Sequence, residues 1–152
     1  MEIIRLGGNS PGDIFEAMSA LDKSCFGPEG WSADAFREEA CQPGGIVLAA
    51  FCNGVFAGLF AGFTASDTGE ILSVATVPEY RGKGVARALL TEFFRLVPDE
   101  AESIALEVRQ SNDAAIALYR SFGFEKAGVR KRFYTFPAVE DADVMVKKLT
   151  VS

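Results

Sequence analysis

The feature that most restricts this chain is Asn53-Gly54, set between two apolar runs, Ile46 to Cys52 and Val55 to Thr64. An Asn-Gly connection takes positive φ at both positions and matches the twist of paired strands, so it predicts an antiparallel hairpin. Length limits what can be built around it. The 152 residues suit a single domain, 1–152, with one core of its own. Hydrophobic residues make up 49% and charged residues 24%, which places the chain with globular proteins rather than disordered or coiled-coil ones. No apolar run reaches the roughly 18 residues that cross a bilayer. Met1 to Arg5 carries an early acid and lacks the long apolar region of a secretory signal.

Other elements follow from periodicity and punctuation. Met1 to Leu6 reads as a strand. Asp13 is placed to cap a helix whose Ile14, Met18 and Leu21 recur at helical spacing. Ser32 or Asp34 caps a second, short helix containing Phe36, and Pro43-Gly44-Gly45 breaks it. Ser66 to Gly69 is a turn, and Glu70 to Val77 a strand stopped by Pro78. A helix opens near Gly82 and runs to about Val97, with Val85, Leu89, Phe93 and Leu96 on one face. Ser103 to Val108 is a strand. Ser111-Asn112-Asp113 starts a helix that Gly123 ends in a left-handed turn. Phe124 to Arg132 and Ala142 to Leu149 are the last strands. The order is mixed α and β, with antiparallel hairpins and a central strand-helix-strand-helix unit.

Composition removes several chemistries. The charge sum is 15 − 21 = −6, so a phosphate-tracking surface for nucleic acid is not expected. There is no histidine, which excludes Ser-His-Asp and Cys-His nucleophilic sites and every His-based zinc site. Cys25, Cys41 and Cys52 form no C-x-x-C pair and read as reduced, mostly buried thiols of a cytoplasmic protein. Neither a metal nor a membrane is expected as a partner.

The most informative stretch runs from Leu72 through Arg87. A buried strand leads through Pro78 into Arg81-Gly82-Lys83-Gly84-Val85-Ala86-Arg87 and a helix start. Amide groups there lack intrahelical acceptors, the helix dipole adds partial positive charge, and glycines allow close approach. Arg81, Lys83 and Arg87 add cations. The expectation is a phosphate or pyrophosphate cradle; the alternative is a plain strand-helix turn with glycines for packing. A P-loop is ruled out because Gly84, not Ser or Thr, follows Lys83. Arg87 occupies the third glycine position of a dinucleotide fingerprint.

The spacing R-x-x-G-x-A in Arg81 to Ala86 resembles the acyl-CoA signature of the GNAT superfamily of N-acyltransferases. A second block, Leu106-Glu107-Val108-Arg109-Gln110-Ser111-Asn112 to Leu118-Tyr119 and Phe122-Gly123-Phe124, is similar to that family's L-x-V-x-x-x-N-x-x-A-x-x-L-Y-x-x-x-G-F. The match covers roughly residues 46–149. Trp31-Ser32, Leu106 to Arg109, Phe133-Tyr134 and Glu140-Asp141-Ala142 before Met145 resemble the branch that acetylates the N-terminal alanine of ribosomal proteins, the RimI type. That branch commonly carries Tyr-Tyr where this chain has Phe133-Tyr134. The implied fold is α/β (mixed α+β), a mostly antiparallel central sheet flanked by helices. The implied cosubstrate is acetyl-CoA.

The resemblance also implies roles. Glu107 is the general base, since a carboxylate inside a buried sheet is costly unless it is paired or faces a cavity. The alternatives are a surface-facing strand residue or an ion pair with Arg109, on the same face of the strand. Tyr119 is the general acid near the cofactor sulfur, or else a core aromatic. Val74, Ala75 and Thr76 bind the pantetheine arm through their backbones, and one N–H polarises the thioester carbonyl. Asn112 caps its helix, bonds the cofactor, or does both. Trp31, Phe133, Tyr134, Glu140 and Asp141 shape the acceptor site, with a solvated turn as the alternative for the two acids. Arg130-Lys131-Arg132 reads as a solvated strand edge.

One carboxylate base suits an α-amine, whose ordinary pKa is about 7.7–8.0, better than a lysine near about 10.4. Together with the resemblance, this makes a protein or peptide N-terminus the expected acceptor, a ribosomal protein included. Lysine stays open because a site can depress its pKa. The expected state is a monomer or homodimer. Two rivals remain: a GNAT enzyme for small-molecule amines, and a non-catalytic acyl-CoA-binding module.

Overall fold

In the computed structural model, residues 1–149 are described. The expected hairpin is present: β2 (Gly45–Cys52) and β3 (Val55–Ala65) pair antiparallel around Asn53 and Gly54, both at positive φ. Seven strands form one sheet in the order β1-β2-β3-β4-β5-β7-β6, with β1 Glu2–Arg5, β4 Thr68–Thr76, β5 Ser103–Arg109, β6 Glu125–Tyr134 and β7 Glu140–Lys148. All neighbours are antiparallel except β4 and β5. Helices α1 (Gly12–Phe26) and α2 (Ala33–Cys41) cover one face; α3 (Val85–Leu96) and α4 (Asp113–Ser121) cover the other. Each face has its own core. Phe15, Met18 and Phe36 pack on Val47, Leu59 and Ala75. Leu89, Phe93 and Tyr119 pack on Phe60, Ile104 and Leu106. No helix among the described residues is long and apolar enough to cross a membrane.

Several local expectations change. Pro11, not Asp13, caps α1, and Asp13 falls in the helix's first turn. The helix expected near Gly82 is capped by Gly84, after the turn around Gly82 and Lys83. β4 begins at Thr68, because the turn needs only Ser66 and Asp67. Glu140 and Asp141 belong to β7 rather than to a solvated turn. The three thiols are free, but Cys41 is exposed and the other two are only half-buried. Ser32 and Asn112 cap α2 and α4 as expected, accepting from Ala35 N and Ala115 N.

The departure that matters most lies in the middle of the sheet. β4 and β5 pair only through Thr68–Ser103, Gly69–Ile104 and Glu70–Ala105. Immediately beyond, Ile71 and Ser73 of β4 oppose consecutive residues of β3, which leaves Leu72 as an extra, bulged residue. A bulge bends its strand and resets which face each later side chain takes. Ile71 and Val74, three apart, accordingly pack into the same core, while Ala75 joins the other. β4 turns away from β5, and the sheet splits.

Candidate active site

The split forms a cleft of about 1080 Å³ between β4 and β5. Past Glu70, the edge of β4 toward β5 has no strand partner among the described residues, so its peptide groups are open to a ligand. Val74, Ala75 and Thr76 line the cleft there. At its far end Arg81, Gly82, Gly84, Val85, Ala86 and Arg87 close around the start of α3. Gly82 and Gly84 take φ of 77° and 83°, and a Cβ on either would meet nothing within 4 Å. The loop is thus open toward the cleft, and its backbone is one that L side chains rarely adopt. Among the described residues no side chain caps α3, so its first amides keep their hydrogen-bonding capacity. Arg81 Nε reaches the Thr76 carbonyl at 3.4 Å, and Arg87 donates to Ser121 Oγ at 3.2 Å across to α4. Lys83 lies outside the wall, with Nζ 5.5 Å from the centre of the Tyr80 ring.

The cleft runs through the sheet from one face to the other. Ile104, Leu106 and Val108 of β5 point into the α3–α4 core. Alternation therefore sends Glu107 and Arg109 to the α1 face. Tyr119 lies on the opposite side, 8% exposed within the α3–α4 core, beside Asn112, Ala115 and Leu118 along α4. Burial, with Tyr134 nearby, raises the Tyr119 phenol well above its ordinary range. Glu107 and Tyr119 thus meet the same cavity from two sides of the sheet.

Glu107 does not pair with Arg109. Its Oε1 lies 3.1 Å from Arg130 Nε, across β7, so the basic run on β6 is not wholly solvated. Arg109 instead pairs with Glu140 at 3.7 Å, stacks over Tyr134 at 4.2 Å, and donates to the Phe136 carbonyl. Tyr134 is pushed up to about 12, by burial first, with Arg109 opposing and Glu107 and Glu140 adding to the rise.

The α1 face of the cleft is bridged. Phe26 stacks on Tyr134 at 6.0 Å, and Thr135 Oγ1 donates to Glu29 Oε1 at 2.6 Å. Those contacts join the end of α1 and its 3-10 turn (Gly27–Glu29) to the end of β6. Trp31, Phe133 and Tyr134 line this end of the cleft. Glu140 and Asp141 do not. Glu140 accepts from Ser111 N at 2.7 Å, Asp141 accepts from Arg132 N at 2.8 Å, and both carboxylates are held below the usual range by those bonds.

Asp22, Cys25, Phe26, Glu29, Ser73 and Arg109 also line the cleft and escaped the sequence reading. One signal was available for Asp22. It falls four residues after Met18, on the apolar stripe of α1, where a charge is out of place. Ser73 is brought in by the bulge, which no pattern in the sequence marks.

The split sheet, with a glycine-rich helix start at one end and a carboxylate at the other, defines an acyltransferase-like fold and cleft. The chain belongs to the acetyltransferase (GNAT) family, whose profile matches residues 15–124. Members of this family use acetyl-CoA, and the unpaired β4 edge, the open Gly82–Gly84 loop and the two arginines suit an extended amide chain ending in phosphates. N-alpha-acetyltransferase RimI of Mycobacterium tuberculosis is 35% identical over 113 residues, covering 71% of this chain and 70% of that protein. An uncharacterised protein of Mycobacterium leprae is 36% identical over 138 residues, 88% of this chain; the chain spans only 38% of that relative. The ribosomal-protein-S18-alanine N-acetyltransferase from Escherichia coli superposes with a TM-score of 0.82 at 26% identity, covering 99% of this chain and 95% of that one.

Proposed function

We propose that this chain transfers the acetyl group of acetyl-CoA to the N-terminal α-amine of a protein or peptide, a ribosomal protein being the leading acceptor class. The observation that carries the reading is Glu107, a carboxylate on the α1 face of a cleft whose other face holds Tyr119. The acceptor enters under the Phe26–Tyr134 bridge, and a chain terminus suits that end-on approach. The names of the similar proteins from Mycobacterium tuberculosis and Escherichia coli support it.

Glu107 takes the proton from the ammonium, directly or through one water. An α-amine needs little help near neutral pH, since its ordinary pKa is about 7.7–8.0. The neutral nitrogen then attacks the acetyl carbonyl, whose oxygen is held by a free N–H on the β4 edge, within Val74 to Thr76. The C–S bond breaks as the C–N bond forms, and the nitrogen releases its second proton, which balances the one the departing thiolate takes up. Burial keeps the proton on Tyr119, so its hydroxyl meets the departing thiolate as a donor. Trp31 and Phe133 shape the space for the acceptor's first side chains.

The test is thiol release from acetyl-CoA with a panel of amines. It includes a peptide with N-terminal Ala, its N-terminally blocked twin containing Lys, polyamines and aminoglycosides. Turnover confined to free N-termini supports the reading. Turnover confined to small amines overturns the acceptor class, and tight CoA binding without any turnover overturns the reaction.

A further inference from the structure

One buried carboxylate in the cleft has no part in the chemistry above. Asp22 on α1 is 2% exposed, and both of its oxygens are engaged. Oδ1 accepts from the Ser73 hydroxyl at 2.6 Å, and Oδ2 accepts from the Trp31 amide at 2.7 Å. One helical turn earlier, Ser19 Oγ donates to the Trp31 carbonyl at 2.7 Å. The Trp31 peptide is therefore seated at both ends on a single face of α1. Gly30 lets the segment lie there, since a Cβ at that position would sit 2.6 Å from the Lys23 Cα.

The two groups that Asp22 joins belong to different halves of the site. Trp31 stands on the acceptor wall, its ring 5.1 Å from Phe36. Ser73 is the first residue after the Leu72 bulge, where β4 swings away from β5, and it leads straight into Val74, Ala75 and Thr76. An ionised carboxylate accepts strong hydrogen bonds on both oxygens at once, and no neutral side chain of that size does the same.

The geometry points to Asp22 as a positioning residue: through its two oxygens it holds the acceptor wall at Trp31 in register with the acetyl-bearing strand at Ser73. This rests on the cleft being the acetyl-transfer site. Misplacing reacting atoms by about 1 Å is sufficient to cost on the order of 100-fold in rate while each substrate still binds.

The test compares Ser73→Ala, Ser73→Thr and Asp22→Asn with the wild-type chain by steady-state kinetics in both substrates. Ser73→Ala removes the tie to β4 and leaves the Trp31 amide bonded to Asp22. The expected result for Ser73→Ala is a fall in kcat of about tenfold or more, with KM for acetyl-CoA within about threefold. Ser73→Thr keeps the hydroxyl and restores most of kcat. Asp22→Asn, which retains one acceptor oxygen, falls between wild type and Ser73→Ala. Trp31 is the only tryptophan, so its emission in each variant reports directly on whether that wall is still seated. An unchanged kcat in Ser73→Ala, or a Ser73→Thr as impaired as Ser73→Ala, overturns the proposal. Absence of turnover in the wild type overturns the acetyl-transfer reading instead, so the two failures are distinct.

Discussion

The carboxylate of Glu107 and the guanidinium of Arg130 lie 3.1 Å apart, joined across β7 from two strands that do not touch. Arg130 is more than half exposed, so the pair sits in water on one side and contributes little to stability. Glu107→Gln is expected to lower kcat by roughly 10²–10⁴-fold with acetyl-CoA affinity retained, the range for loss of a general base. Arg130→Gln is expected to leave the melting temperature nearly unchanged and to keep kcat within a few-fold. A kcat in Arg130→Gln as low as in Glu107→Gln would show the ion pair itself to be required.

The phenols of Tyr119 and Tyr134 are both raised, chiefly by burial, Tyr134 to about 12. In the unfolded chain both ionise near pH ~10. Their contribution to stability is therefore complete below about pH 10 and is lost as pH rises through the folded-state values. Two consequences are measurable. Neither phenol produces an alkaline limb in the kcat profile below about pH 10. Thermal melts should fall steeply above that pH, and less steeply in Tyr134→Phe. An activity loss centred near pH 9 that Tyr119→Phe abolishes would contradict the burial account.

Arg109 links the parts of the bridge over the end of the cleft proposed for the acceptor: Tyr134 under its plane, Glu140 beside it, and the Phe136 carbonyl at its tip. Lysine keeps the charge but loses the flat stacking surface and the fork of donors. Arg109→Lys is expected to raise KM for the acceptor peptide several-fold while leaving KM for acetyl-CoA unchanged. Equal changes in both constants would place Arg109 in general folding rather than at the acceptor end.

Much of this site was legible because its signals are local. Asn53-Gly54 names its own turn, Asn112 its own cap, and the Arg81 to Ala86 spacing its own loop; each depends on backbone preferences over a few residues. Glu107 was found as a charge where strand burial makes a charge costly. The ion pair weighed as an alternative for it, with Arg109, does not form; Arg130 arrives instead from β6 through the pairing of two further strands. Glu140 and Asp141 were expected on the acceptor wall for the opposite reason. Their composition suited it, but backbone amides at Ser111 and Arg132 engage them.

Resemblance to the GNAT family marked Glu107 and Tyr119; the sequence by itself determined the strand and helix inventory and the glycine loop at the start of α3. The inventory and the loop follow from periodicity, capping and turn chemistry, which act over short distances. Only the tertiary structure decided that the sheet splits after Glu70 and Ala105, that Glu107 and Tyr119 reach the opening from opposite faces, and that Asp22 ties Trp31 to Ser73. Those outcomes depend on one bulged residue, Leu72, and on which strand β5 meets after it. Bulges and long-range pairings are chosen by the packing of the whole core, and no short window of residues carries that information.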